Sequence, residues 1–460
     1  MATLVASWVG FAAPVARAEW QYQPLLSFGF PKVSGGNPQG KLLEGVDGAL
    51  YGTTYAGGSN FAGTVFRINK DGTGAAALLH FAYTNGSYPT AGLVAGPDGK
   101  LYGTTTSGGP GGGGTVFRLS PDGSGFSLLH AFAMGDGMNP QSSLVWGDGG
   151  MLFGTTYSGG AGNGGTLYRL SADGSGYSVL RGFSTVGADG RNPAGGLLVG
   201  SDGRLYGTTY YGGSANGGTV FTLKQDGSGY IALRSFSFAG GDGVYPRGEL
   251  IEGGDGTVYG TTYSDGVGFA GIVYRMLKDG SGFLALHRFT GIGGDGRSPA
   301  VGLASVGGGV LLGTTYYGGA NAGGTIFQIN GDGSGYAILR SFSGAGGDGQ
   351  NPGSGLALGD DGALYGMTVA GGDNGEGIVF RLVPPVAPPP RMVSATIVPG
   401  GVAVRFTSVP GSNNQLQRAE AMAGSWLTLT NIPAPASGAV DFTDATPSRN
   451  GFYRVVRVAP

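Results

Sequence analysis

The sequence predicts an all-β protein, namely a seven-bladed β-propeller closed by its N-terminal strand and followed by a small C-terminal β-sandwich. The first observation is a segment, LYGTTY in its fullest form, whose central glycine recurs every 51 or 53 residues in a chain of 460. The second is that every copy reads as short strands separated by turns. A fixed period of this kind is typical of radial or stacked repeats. The central glycines are Gly52, Gly103, Gly154, Gly207, Gly260, Gly313 and Gly366.

Each copy contains four strand candidates, which the second copy shows at residues 92–95, 101–105, 115–119 and 126–132. Asp-Gly pairs, a strong hairpin signal, join the first candidate to the second and the third to the fourth. A glycine-rich loop joins the second to the third. Each copy is therefore predicted to form one antiparallel sheet, or blade. We expect the glycine of the second strand to allow close approach between blades.

A proline marks the crossing from each blade to the next, because proline cannot donate to a strand ladder. Third strands such as TVFRL are apolar on both faces, as a sheet packed between two other sheets requires. The crossings therefore connect blades that stack side by side around an axis. The crossing prolines are Pro38, Pro89, Pro140, Pro193, Pro246, Pro299 and Pro352.

The two ends of the repeat array complement each other. The seventh copy lacks a fourth strand, because prolines follow its third strand from Pro384 onward. Residues 24–30, PLLSFGF, resemble the fourth strands of other copies but precede the first copy. We therefore expect the N-terminal strand to complete blade seven and close the ring, and a linear solenoid is disfavoured.

The N-terminal residues 1–18 are expected to be a signal peptide. They carry an apolar run from Leu4 to Val15 and end in the small-x-small pattern ARA. An ordinary apolar N-terminus is the alternative. The run is short for a membrane span, so we expect no transmembrane domain after signal removal. The expected location is outside the cytoplasm, namely extracellular, at the cell surface or in the periplasm.

The remaining boundaries follow from composition. Residues 19–383 contain the repeats, and the proline-rich residues 384–390 form a semi-rigid linker. Residues 391–460 lose the repeat and alternate apolar with polar positions in at least five short runs. This alternation predicts a small β-sandwich.

The repeat unit, LYGTTYxGG followed by GTVFRL and DGSG, resembles the GloVer tandem repeat of bacterial exported proteins over about residues 24–382. The resemblance implies an exported or surface-anchored repeat protein, in a family without a reaction assigned to its motif. Residues 391–460, with Trp426 and the terminal run FYRVV, resemble fibronectin-III-like modules. That resemblance implies adhesion or spacing.

The composition disfavours several functions. Charged residues are 12% of the chain and the net charge is −2, so no basic field attracts nucleic acid. No catalytic constellation, metal site or cofactor motif is found. His80, His130 and His287 share one repeat position, where we expect exposed sites on outer strands. Turn chemistry is the favoured role of a recurrent crossing aspartate, and a calcium-binding ring is the alternative. This series is Asp136, Asp189, Asp242, Asp295 and Asp348.

A tyrosine series supplies the candidate ligand-binding residues. Each of these tyrosines follows the Thr-Thr pair and enters the loop between the second and third strands, where it can pack as core or present a flat face to a ligand. The series is Tyr55, Tyr157, Tyr210, Tyr263 and Tyr316. We expect an exported, non-enzymatic and monomeric repeat protein that binds a glycan or a surface protein. The alternative is a propeller enzyme that degrades or modifies polysaccharides.

Overall fold

The computed structural model describes residues 20–29, 35–239, 241–265, 268 and 270–385, together with six strands between residues 391 and 457. The chain divides into two compact units, one of which is Tyr22–Val383, while Pro384–Pro460 falls in the other. The expected signal peptide, 1–18, and most of the linker lie outside the described residues. Across the described ranges, no helix has the length and apolar character needed to cross a membrane.

Seven antiparallel sheets form the blades of the first unit, and in each the four blade strands are ordered first, second, third, fourth. In blade five the crossing strand Val244–Pro246 also pairs with the second strand, and three two-stranded sheets pair Gly190–Arg191 with Tyr211–Gly212, Gly296–Arg297 with Tyr317–Gly318, and Gly349–Gln350 with Ala370–Gly371. The first strands are Leu43–Glu44, Val94–Ala95, Val145–Trp146, Leu198–Val199, Ile251–Glu252, Ala304–Ser305 and Ala357–Leu358. The second strands are Leu50–Thr54, Leu101–Thr105, Met151–Thr156, Arg204–Thr209, Val258–Ser264, Val310–Thr315 and Leu364–Thr368. The third strands are Thr64–Ile68, Thr115–Leu119, Asn163–Ser171, Thr219–Lys224, Ile272–Met276, Thr325–Asn330 and Ile378–Val383. The fourth strands are Ala76–His80, Ser127–Ala131, Ser178–Ser184, Ile231–Ser235, Leu284–Arg288, Ala337–Ser341 and Gln21–Ser27.

The closure predicted from the sequence is confirmed. The N-terminal strand Gln21–Ser27 pairs with Ile378–Val383 and supplies the fourth strand of blade seven. Just beyond it, the Phe28 amide donates to the Gly377 carbonyl at 2.9 Å. The Phe28 ring is fully buried and meets Phe66 of blade one edge to face at 5.2 Å. The seven sheets are therefore a closed β-propeller.

The glycine of each second strand makes room for an aromatic ring within its own blade. A Cβ atom on Gly52 would lie 2.6 Å from the ring of Phe66, which faces it from the third strand. On Gly154 it would lie 2.4 Å from the Tyr168 hydroxyl. The expectation that this glycine serves the approach between blades is therefore wrong, because its close contact is with the neighbouring strand of the same sheet.

An arginine or histidine that lies beside a crossing aspartate and stacks on an aromatic ring joins successive blades at their outer edge, and we call this arrangement the inter-blade latch. Arg181, on the fourth strand of blade three, pairs with Asp189 at 2.8 Å and lies 3.8 Å from the ring centroid of Tyr230 in blade four. The recurrent crossing aspartates thus bind a basic neighbour at the edge. The five latches are His130–Asp136–Tyr177, Arg181–Asp189–Tyr230, Arg234–Asp242–Phe283, His287–Asp295–Tyr336 and Arg340–Asp348–Tyr22.

Two of the three histidines belong to latches. His130 lies 2.8 Å from Asp136 and stacks on Tyr177 with ring centroids 3.6 Å apart. Burial lowers the pKa of His130, and the neighbouring Asp136 opposes that change. The expectation of exposed sites is therefore wrong for His130 and His287, whose side chains are 17% and 20% exposed.

The crossings and the longer loops share one side of the propeller, which we call the loop face. Residues of successive crossings bridge residues that follow a second strand, as in Gly36 with Ala56 and Ser87 with Ser107. The Asp-Gly turns lie at the other ends of the strands, on what we call the turn face. There the glycine has a positive φ, 74° at Gly99, and the aspartate accepts from the backbone two residues on.

The C-terminal unit contains six described strands in two three-stranded antiparallel sheets. One sheet contains Arg391–Val398, Gly401–Thr407 and Ala439–Asp444, and the other contains Leu427–Pro433, Asn413–Ala419 and Phe452–Arg457. The fibronectin-III-like character of this unit stays a prediction.

Removing residues 20–29 should destabilise the propeller strongly. The deletion takes away the fourth strand of blade seven, the Phe28 packing and the Tyr22 latch. Burial of Phe28 alone contributes about 1.5–3 kcal/mol, and each lost ladder hydrogen bond about 1 kcal/mol net. Thermal melting of the shortened chain should show the loss, and a synthetic peptide of residues 20–29 should restore stability. A melting temperature equal to that of the full chain would contradict closure by this strand.

A candidate binding site on the loop face

Seven short segments converge at the centre of the loop face. Each crossing ends in the pattern PxxxL, immediately before a first strand. These axial segments are 38–42, 89–93, 140–144, 193–197, 246–250, 299–303 and 352–356. Residues from all seven line one cavity of about 510 Å³, which we call the axial pocket. A cavity of this size is in the range that holds small ligands.

Backbone contacts between neighbouring blades hold these segments in place. A Cβ atom on Gly40 would lie 2.4 Å from the Ala91 carbonyl oxygen, so only glycine allows this approach. The Thr53 hydroxyl, from the second strand of blade one, donates to the same Ala91 carbonyl at 2.9 Å. Thr261 repeats the contact with the Val301 carbonyl at 3.2 Å. In these two copies the first threonine of the repeat motif thus fixes the pocket wall of the next blade.

The repeats differ in chemistry at the pocket. In PxxxL, the last variable position carries Lys41, Ser143 and Glu249 in blades one, three and five. The other blades have glycine there, at Gly92, Gly196, Gly302 and Gly355. The first variable position holds Gln39, Thr90, Gln141, Ala194, Arg247, Ala300 and Gly353. The symmetric scaffold therefore encloses an asymmetric polar pocket.

Reasoning from the sequence missed this group of residues. Lys41, Arg247 and Glu249 are single departures in different copies, not a cluster of acids or histidines. Aligning the seven PxxxL segments column by column reveals them, because each replaces a small residue found in sister copies.

Glu249 lines the axial pocket and is half-buried. Burial raises the pKa of Glu249, and the positive charge of Lys41, from a blade that is not its neighbour, offsets part of the increase. Lys41 and Arg247 are exposed at the pocket. Within the described ranges, none of these three side chains forms a hydrogen bond or an ion pair.

The predicted tyrosines share the loop face but split between two positions. Tyr55, Tyr263 and Tyr316 line the axial pocket, whereas Tyr157 and Tyr210 are not part of its lining. All five are half-buried. Burial raises the pKa of Tyr210 to about 12, with the charge of Arg247 acting in the opposite direction. Burial also raises the pKa of Tyr157, and the charge of Arg247 again acts in the opposite direction.

Two tyrosines of the crossings stack on this series. The Tyr55 and Tyr88 rings are stacked with centroids 4.9 Å apart, and so are the rings of Tyr210 and Tyr245. Tyr83 extends the first cluster through a 2.6 Å contact between its hydroxyl and that of Tyr88. The sequence analysis did not include Tyr88 and Tyr245 among the candidates.

The backbone at these two tyrosines is strained. The residue before every crossing proline has a positive φ. Asparagine tolerates this conformation, whereas a bulky residue adopts it only with strain. Four copies have asparagine there, and the Asn192 amide, for example, donates to the Tyr157 carbonyl at 2.8 Å. Tyr88 and Tyr245 adopt φ values of 58° and 63° instead. Strain of this kind costs on the order of 1–3 kcal/mol and concentrates at functional sites.

The geometry provides a concave polar pocket beside flat aromatic surfaces. Among the residues that the structure describes, no group of three or more His, Asp or Glu side chains is placed to hold a metal ion. Fold and pocket together define a tandem-repeat β-propeller with a candidate binding site at the axis of its loop face.

The family model named Gloeobacter/Verrucomicrobia repeat matches residues 14–163 and 142–380. The chain belongs to this family, which confirms the resemblance found in the repeat motif. No protein with a curated description matches the chain in sequence.

Two solved structures are similar to the chain. The extracellular domain of a proposed one-component system from B. thetaiotaomicron has a TM-score of 0.50 at 12% identity, and the match covers 96% of this chain and 58% of that one. The chain thus spans less than two thirds of that structure. A proposed 6-phosphogluconolactonase from Bacteroides uniformis has a TM-score of 0.46 at 16% identity, with 86% and 98% covered. At such identities the likeness shows the fold alone.

Replacing Glu249 by glutamine should stabilise the protein at pH 8. Since burial raises the pKa of Glu249 above its unfolded value, the ionised form destabilises the fold. The loss of stability caused by the ionised carboxylate is complete at a pH above the pKa of Glu249 in the folded protein. It disappears at a pH below the pKa in the unfolded chain, which is about 4.3. Melting curves should therefore show Glu249→Gln gaining stability at pH 8 and matching the parent near pH 4.

Glu252→Gln is a matched control with the opposite sign. Glu252 pairs with Lys278 and accepts from the Ser201 amide at 2.8 Å, and these contacts outweigh burial and lower its pKa. This variant should lose stability at pH 8. A lower melting temperature for Glu249→Gln at pH 8 would contradict the electrostatics of the pocket.

Proposed function

We propose that the protein is an exported, non-enzymatic β-propeller that binds a glycan with its loop face. The observation that carries this proposal is the pair of strained tyrosines, Tyr88 and Tyr245. Both occupy a backbone position for which sister repeats use asparagine, and both add an aromatic ring to the loop face instead. Backbone strain concentrates at functional sites, and here it accompanies two aromatic clusters on one face, which favours a role in recognition.

Exposed apolar residues support the choice of the loop face. Met134, Val186 and Ile292, each in a different crossing, are 69%, 80% and 76% exposed. Tyr83 and Phe238 occupy the corresponding region of two further crossings, where they are also exposed. Exposed apolar groups arranged around a polar pocket are typical of interaction surfaces.

The chemistry of the site favours a glycan over a protein surface. Tyrosine presents an apolar face and a hydroxyl, which suits the apolar faces and polar edges of sugars. The side chains of Gln39, Gln141 and Ser143 add amide and hydroxyl groups that can both donate and accept hydrogen bonds. A concave pocket with such groups suits sugar hydroxyls, whereas a protein partner would be expected to seek a broader surface.

The alternative of a polysaccharide-degrading enzyme receives less support. Hydrolysis of glycosidic bonds generally uses two carboxyl groups that flank the bond. Among the described residues that line the axial pocket, Glu249 is the one carboxylate. Export rests on the apolar segment 1–18 and on the family resemblance. Binding without turnover is therefore the function that the site supports best.

The test is a glycan-binding screen on the full chain, followed by the double variant Tyr88→Asn with Tyr245→Asn. Asparagine restores the residue found in sister repeats, so the melting temperature should stay equal or rise. Affinity for the selected glycan should fall at least tenfold, because two aromatic surfaces are lost. The two measurements together separate a loss of recognition from a loss of folding.

The matched control replaces three exposed serines on the turn face, Ser124, Ser175 and Ser228, by alanine. These changes should leave affinity within about twofold, since surface substitutions usually perturb free energy by less than roughly 0.5 kcal/mol. The proposal fails if no glycan binds while a protein partner does, or if the screen detects turnover of a polysaccharide. It also fails if the serine variant loses binding and the asparagine variant keeps it.

A further inference from the structure

We infer that the axial pocket binds a carboxylate group of an acidic glycan, so that the ligands are oligosaccharides containing uronic acid. This inference rests on the proposed function and names its ligand class. It depends on three side chains, Lys41, Arg247 and Glu249, and on the four glycines that leave space between them.

The first argument is that neither of the two cations of the pocket is held in an ion pair. Several other basic side chains of the propeller are held in ion pairs, as Lys70 is with Glu44 and Lys278 with Glu252. Lys41 and Arg247 are exposed at the pocket and form neither a hydrogen bond nor an ion pair with any residue that the structure describes. Two unpaired cations that line one concave site attract an anion.

The second argument concerns the balance of charge. Glu249 is the one acidic residue among the described lining residues, so two positive charges face at most one negative charge. The pocket therefore keeps a net positive charge, although the whole chain carries a formal charge of −2. A carboxylate can bind Arg247 with two parallel hydrogen bonds and Lys41 as a point charge.

The third argument is the shape and mixed chemistry of the pocket. Four of its seven blades have glycine at the position of Lys41, which leaves room for a sugar ring in a cavity of about 510 Å³. Glu249 can accept from sugar hydroxyls, and Gln39 and Gln141 can donate to them. A uronic acid presents a carboxylate and hydroxyls on one compact ring, which matches this combination.

The experiment compares matched ligands. Calorimetry measures the binding of the full chain to a panel of uronic-acid trisaccharides and to the same trisaccharides with each carboxyl reduced to an alcohol. At least one acidic trisaccharide should bind tenfold or more tightly than its reduced form. Lys41→Met and Arg247→Met should each reduce this preference several-fold. Lys224→Met, which removes an exposed lysine on the turn face, should leave it unchanged.

The outcomes separate this inference from the proposed function. Equal binding of acidic and reduced trisaccharides, or a preference that survives both pocket substitutions, overturns the inference and leaves glycan binding intact. If neutral glycans bind but none of the acidic panel does, the inference is likewise wrong. If no glycan binds and a hexaglutamate peptide binds in a manner that needs Lys41 and Arg247, the proposed function fails as well, and the pocket is a site for acidic protein.

Discussion

The pairing of the N-terminal strand with the last repeat is the interaction on which the rest of the structure depends. Each blade buries both of its faces against neighbours, so an open ring would leave two sheet faces in water. The strand Gln21–Ser27 closes the ring by completing blade seven, and Tyr22 completes the latch between blades six and seven. Closure also shapes the axis, because a Cβ atom on Gly355 of blade seven would lie 3.5 Å from the Lys41 side chain of blade one. The axial pocket exists only in the closed ring.

Two sets of positions in each repeat have different roles. The threonines of the motif, the first of which is replaced by Met367 in the seventh copy, and the second-strand glycine shape the sheets. Thr53 also fixes the wall of the pocket through the Ala91 carbonyl. The residue before the crossing proline and the variable positions of PxxxL differ from blade to blade. The repeated positions thus form a common scaffold, and the positions that vary from blade to blade give the loop face its polar and aromatic side chains. Tyr88 and Tyr245 show that such departures can cost backbone strain.

The architecture could be predicted from the sequence because its causes are local and repeated. Hairpin signals such as Asp98-Gly99 and a proline at each crossing recur in the repeats, so they predict the strand order. Residues 24–30 resemble a fourth strand but precede the first copy, so they predict where the ring closes. The latches could not be predicted, since they join side chains such as Arg181 and Tyr230 that lie 49 residues apart in different blades. The pocket was missed for a related reason. Lys41 and Glu249 are 208 positions apart in the sequence and line the same pocket only because the seven segments converge.

Hydrogen exchange of the full chain, measured by mass spectrometry with and without a saturating bound glycan, tests most directly whether the variable loop face is the working surface. The account predicts new protection in peptides that cover the axial segments 38–42 and 246–250 and the crossings that carry Tyr88 and Tyr245. Peptides that cover the Asp-Gly turns of the opposite face should exchange as before. Protection confined to those turns, or to residues 391–460, would contradict the account.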